Sequence, residues 1–183
     1  MKPVIVLTLV GIISASLLAY VNDITKEPIA EAKAKMKREA IQKIFPFEFD
    51  SLRTNKTDKA VFYEAYDSES KLKGIAVETS TDKGYSGKIE VLLGVSTKNE
   101  IFDYKVLSHA ETPGLGDKID KDKFRAQFKG KGLEGVVWKV KKDDENGAVD
   151  QLTAATISSR AITEAVYDGL ILVKEEYPKT SGK

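Results

Sequence analysis

The chain opens on an unbroken apolar run, PVIVLTLVGIISASLLAYV over residues 3–21, bounded by Lys2 and Asp23. As a helix rising about 1.5 Å per residue it spans roughly 28 Å, close to the ~30 Å hydrocarbon core of a bilayer. A cleaved signal peptide has a shorter apolar region, about 7–15 residues, ending at a small-residue site. Ser14, Ala15 and Ser16 imitate such a site, but the run continues past them through Leu17, Leu18 and Tyr20. The pattern therefore predicts an uncleaved transmembrane anchor over residues 1–22. Next, Ile29, Ala32, Met36, Ala40, Ile41 and Ile44 recur at helical spacing among charged residues, which predicts a helical stalk over 23–45 with a break at Pro28.

Period-two patterns follow. Residues 46–59 read as a loop. Residues 60–80 hold two strands around a polar turn at 67–70. In GKIEVLLGVS, Ile89, Val91, Leu93 and Val95 alternate with other residues, and EIFDYKVLSHA does so less cleanly, so the pair predicts an antiparallel hairpin turning at TKN. DKDKFRAQFKGK suggests a short helix closing at Gly130, and EGVVWKVKK a further strand. From Ser158, the residues Ala161, Ile162, Ala165, Val166, Leu170 and Val173 fall on one face of a helix running to about Glu176. The expected fold class is α+β, a mostly antiparallel or mixed sheet with packed helices behind one transmembrane helix. One domain covers 46–177, and 178–183 is expected to be a disordered tail.

Composition narrows the chemistry. The chain has 183 residues, 42% of them hydrophobic, which suits one domain with a real core. Lys and Arg number 29 against 28 Asp and Glu, and no basic stripe interleaves with aromatics, so no nucleic-acid partner is expected. The sequence contains no cysteine and one histidine, His109. Disulfides, cysteine-held iron–sulfur clusters, thioether-bound haem and multi-histidine metal sites are thereby excluded. Any redox chemistry must come from an organic cofactor. Charge leaves topology open: Lys26, Lys33, Lys35, Lys37 and Arg38 follow the span, yet Asp23, Glu27 and Glu31 dominate its first turns.

Two stretches stand out. In DQLTAATISSRAITEAV, residues 150–166, Thr153, Thr156, Ser158 and Ser159 crowd the start of the last helix. One such side chain suffices for a cap, worth about 0.5–2 kcal/mol. A helix N-terminus with small residues around it is also a ready site for phosphate. In SHAETPGLGDKI, residues 108–119, Pro113-Gly114 signals a tight turn, while His109 and Glu111 alone indicate little. No three-glycine dinucleotide cradle is present.

Together these stretches resemble the FMN-binding domain family. DQLTAAT, Asp150 to Thr156, is similar to its flavinylation motif Asp-x-x-(Ser/Thr)-Gly-Ala-Thr. GYSGKI at 84–89 and HAETPGLGDKI at 109–119 resemble its other recurring stretches in the expected order. With the N-terminal span, the resemblance is strongest to the G subunits of Rnf ion-translocating electron-transport complexes. The C subunits of sodium-pumping NADH:quinone oxidoreductases are related. The resemblance implies FMN joined through its phosphate to the hydroxyl of Thr156 by a separate flavin transferase, with no catalytic residue and no metal ligand in this chain. Asp150, Thr153 and Ala155 match further motif positions, and Glu111, Thr112, Gly114 and Leu115 match the loop expected near the isoalloxazine ring. Ala154 stands where the motif has glycine; if that position needs a positive φ, its methyl costs about 1 kcal/mol or more.

The resemblance further implies an electron relay rather than a complete enzyme, coupling ferredoxin-to-NAD electron flow to ion movement. Its partners would be Rnf-type membrane and iron–sulfur subunits, a flavin transferase for maturation and the lipid bilayer. The domain would lie on the extracytoplasmic side of the cell membrane. Two alternatives stay open: a flavodomain of another membrane reductase, such as the sodium-pumping NADH:quinone oxidoreductase, and a non-redox anchored binding module.

Overall fold

A computed structural model describes residues 2–178; of the expected tail, 179–183 lie outside the described residues. The chain divides into two compact units, Met1–Arg38 and Glu39–Lys183. The first is helical and belongs to α1, which runs Lys2–Ile44 with Pro28 inside it. The expected break at Pro28 is not formed. Proline removes only one helical donor, and the good helix formers on both sides, from Glu27 through Ala30, Glu31 and Ala32, carry the helix across. An 18-residue window of this helix reaches a mean hydropathy of 2.5, and none of that window is buried within the protein. Within the apolar run, the Thr8 hydroxyl donates to Val4 O at 2.9 Å. The hydroxyl is thereby satisfied within the helix itself.

The second unit is built on five antiparallel strands in sequential order: β1 (Ser51–Lys56), β2 (Val61–Tyr66), β3 (Leu72–Gly84), β4 (Gly87–Ser96) and β5 (Ile101–Ser108). The predicted hairpin is β4–β5, with Leu93 opposite Tyr104. After β5 come a 3-10 turn over Gly116–Asp120, the short helix α2 (Asp122–Arg125) and the long helix α3 (Thr156–Glu176).

Both sheet faces are covered. On one, Ala161, Ile162, Ala165, Val166, Leu170 and Val173 of α3 pack on Ile75, Val77, Ile89, Val91, Leu93 and Val95. This is the face that alternation in β4 predicts. On the other face, Ile41 and Ile44 from the end of α1 join Phe45, Tyr63, Ala65, Ala76 and Leu92. The contact is close enough that a Cβ added at Gly94 would lie 2.5 Å from Ile44 Cγ1.

Three segments differ from expectation. Residues 51–56 form a strand rather than a loop: as an edge strand with mostly exposed side chains, β1 needs no apolar alternation. Residues 134–142 form no strand. They fold against 144–149, with Lys141 N donating to Val149 O at 2.9 Å and Ala148 N to Val137 O at 2.9 Å, so the alternation of VVWKVKK serves a packed loop. The predicted helix around 120–130 shortens to α2 and gives way to turns ending at Gly130, whose φ is +73°.

Candidate functional site

The last helix begins with an unusual turn. Ala155 N donates to Leu152 O at 3.1 Å, closing a turn whose third residue, Ala154, has a φ of 61°. That value is the signature of a type II turn, a place normally given to glycine or asparagine. The glycine position of the motif thus requires a positive φ, and alanine occupies it here.

None of the four hydroxyls caps α3. The N-cap is Ala155, without a side-chain cap bond. Ser159 is buried; its hydroxyl donates to Ala155 O at 2.9 Å and accepts from Leu152 N at 2.9 Å, tying the turn to the helix. The buried Ser158 hydroxyl donates to Glu111 Oε2. Thr153 is exposed in the turn. Half-buried Thr156 is the first helical residue, and its hydroxyl has no hydrogen-bond partner among the described residues.

The first helical amide with a backbone acceptor is that of Ser159, which donates to Ala155 O at 3.0 Å. The amides of Thr156, Ile157 and Ser158 remain open, as the geometry of a helix start requires. The first turn carries no acidic residue of its own, though the Glu111 carboxylate is bonded to it through the Ser158 hydroxyl; the helix end keeps its partial positive charge at the open amides.

Beside this turn lies a cleft of about 510 Å³, lined by Tyr85, Glu111, Thr112, Leu115, Gly116, Ala154, Ala155, Thr156, Ile157 and Ser158. Its volume falls in the range of small-molecule sites, about 300–1,000 Å³. Three elements build it: the β3–β4 turn, the loop after β5 and the start of α3. Exposed Tyr85, Leu115 and Ile157 give it apolar walls suited to a flat ring. The open amides and small alanines give one end suited to phosphate. The residues present therefore fit FMN.

Of the sequence-predicted residues, Glu111, Thr112, Leu115, Ala154, Ala155 and Thr156 line the cleft. Gly114 shapes the adjoining turn, with a φ of 79°. Asp150 is exposed and pairs with Lys141 at 2.8 Å. Its amide donates to Gln127 Oε1 at 2.7 Å, while Gln127 Nε2 donates to Asp150 O at 3.3 Å. Asp150 thus fixes the approach to the motif and does not enter the cleft wall. Nearby, Lys131 donates to Ala148 O at 2.6 Å, and its pKa is held below the ordinary lysine value by burial and then by Lys141. Sequence reasoning did not single out Tyr85, Gly116 or Ile157. The glycines of GYSG and PGLG were the available signal.

The comparisons agree with this geometry. Residues 84–171, which contain the whole cleft, match the model of the FMN-binding domain. The G subunit of the ion-translocating oxidoreductase complex of Shewanella baltica is 36% identical over 177 residues, covering 87% of this chain and 82% of that protein. The G subunit of the proton-translocating ferredoxin:NAD(+) oxidoreductase complex of Clostridium ljungdahlii is 34% identical over 167 residues, covering 90% and 86%. Among solved structures, Shewanella oneidensis NqrC superposes with a TM-score of 0.54 at 25% identity, over 73% of this chain and 70% of that one. The fold and cleft are those of an FMN-binding domain protein. Within that class, the chain belongs to the G-subunit family of ion-translocating oxidoreductase complexes.

Proposed function

We propose that this protein is the membrane-anchored, flavin-carrying member of an Rnf-type ion-translocating complex, with FMN attached through its phosphate to Thr156. The observation that carries this reading is the Thr156 hydroxyl, free of protein partners among the described residues, at the open-amide start of α3 and in the wall of the cleft. In attachment, Thr156 Oγ forms a bond to the FMN phosphorus of flavin adenine dinucleotide as the phosphoanhydride breaks. AMP leaves, and the hydroxyl proton passes to solvent or the transferase. The open amides of Thr156, Ile157 and Ser158 would hold the phosphate, and Tyr85, Leu115 and Ile157 would offer the ring an apolar wall. Bound flavin supplies the one- and two-electron chemistry that this cysteine-free chain lacks. The ester leaves the ring's redox atoms untouched and prevents loss of the cofactor.

Intact mass of the detergent-extracted protein, with and without a co-expressed flavin transferase, tests the assignment. The expected result is a transferase-dependent gain of FMN minus water, mapped to Thr156 and lost in Thr156→Val with the fold intact. Covalent flavin retained in that variant sinks it. Co-purification with membrane and iron–sulfur subunits separates this reading from a flavodomain of a sodium-pumping NADH:quinone reductase, which the NqrC similarity keeps as the second reading. An extracytoplasmic position for the domain accords with the family. Because the chain has no cysteine, a single Cys introduced at exposed Ser68, in the turn between β2 and β3, reports its side of the cell membrane by impermeant thiol labelling without background.

A further inference from the structure

Glu111 is the most constrained residue of the cleft. It is 4% exposed, and both its carboxylate oxygens are engaged. Oε1 accepts from Ser86 N at 3.0 Å, and Oε2 accepts from the Ser158 hydroxyl. Its own amide donates to His109 Nδ1 at 3.1 Å. Two glycines make room for it. A Cβ at Gly84 would lie 2.8 Å from Oε1; one at Gly116 would lie 2.6 Å from Oε2 and 2.7 Å from Ser158 Oγ. No cation pairs with this carboxylate among the described residues. A buried acid without a countercharge is a poor source of stability, because desolvation offsets most of what its hydrogen bonds return. What the arrangement does deliver is geometry: one side chain joins the β3–β4 turn, the loop after β5 and α3.

Its hold on α3 acts at the helix start. The N-cap lacks a side-chain bond, so holding the first turn falls to side chains within it. Ser158 and Thr156 both belong to that turn. Anchoring the Ser158 side chain fixes the turn's rotation about the helix axis, and with it the directions of the Thr156 hydroxyl and the open amides. Ser159, bonded to Leu152 N and Ala155 O, secures the same turn from the motif side.

We propose that Glu111 is a positioning residue for flavin attachment, acting through Ser158 to hold the Thr156 hydroxyl and the first-turn amides in the orientation that receives the flavin phosphate. This rests on Thr156 being the attachment residue. In this role Glu111 takes no part in bond making or breaking, which Glu111→Gln tests by keeping the contacts and removing the base.

The test uses the full chain in detergent with purified flavin transferase, flavin adenine dinucleotide and Mg²⁺, following attachment by intact mass. Glu111→Ala and Ser158→Ala are each expected to lower kcat for attachment by about 10- to 100-fold, the scale of a misplaced reacting group, with KM for the protein substrate within about twofold. The double variant is expected to be no slower than the slower single one, because both remove one device. Glu111→Gln is expected to stay within about threefold of wild type, since its amide still accepts from Ser86 N and donates to the Ser158 hydroxyl, a positional effect independent of charge.

The proposal is overturned by a folded Ser158→Ala protein modified at the wild-type rate, by multiplicative loss in the double variant, or by Glu111→Gln as slow as Glu111→Ala. Trp138 fluorescence reports folding at the assay temperature. If Glu111→Ala does not fold, Ser158→Ala decides alone. Failure of the Thr156 reading looks different: wild type gains no flavin, or Thr156→Val still does.

Discussion

Ala154 and Ala155 are neighbours of the same type in opposite conformational situations, so replacing each with glycine separates backbone strain from packing. Ala154 sits at φ 61°, where a side chain costs about 1–2 kcal/mol. Glycine removes that cost but adds unfolded-state freedom worth about 0.4–1 kcal/mol. The net expectation for Ala154→Gly is a gain of about 0.8 kcal/mol, from the middle of those two ranges. Ala155 has a negative φ, −136°, and so no left-handed penalty for glycine to relieve, and it is 7% exposed. There glycine loses a buried methyl, about 0.8 kcal/mol, and adds about 0.5–1 kcal/mol of entropy cost, so Ala155→Gly should destabilise by about 1.5 kcal/mol. For a domain of this size, a kilocalorie moves Tm by about 2–4 °C. Ala154→Gly should therefore melt about 2–3 °C higher and Ala155→Gly about 3–6 °C lower. Thermal unfolding of flavin-free protein, followed by the single tryptophan, Trp138, reads only the second unit. A fall in Tm for Ala154→Gly, or shifts of the same sign in both variants, refutes the strained-turn account.

Other outcomes follow from packing and charge. Gly94→Ala places a methyl 2.5 Å from Ile44 Cγ1 and is expected to cost about 1–3 kcal/mol by overpacking, seen as a lower urea midpoint. Arg125 is buried against Asp103 at 3.2 Å and Asp120 at 3.4 Å; Arg125→Ala leaves the buried Asp103 with the Tyr104 amide at 2.8 Å and Lys129 at 3.3 Å and should cost about 3 kcal/mol, read in the same titration. Burial, chiefly, raises the pKa of Tyr63, Tyr104 and Tyr177, with Glu78 adding to the shift at Tyr63 and Glu64 at Tyr177. These folded-state phenols hold their protons more tightly than unfolded ones. Their contribution is therefore complete below about pH 10 and declines as the unfolded phenols ionise above it. Phenolate absorbance from these three should appear together with loss of Trp138 packing; their titration in the folded state near pH 10 would contradict the prediction.

The parts of the fold legible in sequence are those where one face meets one environment. The stripe from Ala161 to Val173 and the alternation from Ile89 to Val95 do so, and both describe the interface between α3 and the sheet. Leu92 and Gly94, between those strand positions, serve the other face and break the simple pattern. Strand β1 carries no apolar signal because its side chains face solvent. VVWKVKK alternates like a strand yet closes on its own loop. At the site, the small residues around Thr156 and the departure from glycine at Ala154 were readable locally. The Ser158–Glu111 bond joins residues 47 positions apart, and no local pattern reveals such a link. Ser158 therefore stood out only as one of four hydroxyls at a helix start.

Residues 39–44 have a practical meaning for anyone who wishes to separate the domain from the apolar N-terminal helix. They continue α1 without interruption, yet belong to the compact unit that begins at Glu39, where Ile41 and Ile44 are 5% and 1% exposed. A soluble fragment trimmed at residue 46 would carry a greasy trench along Leu92, Gly94 and Ala76, inviting aggregation. One beginning at about residue 39 keeps its own plug.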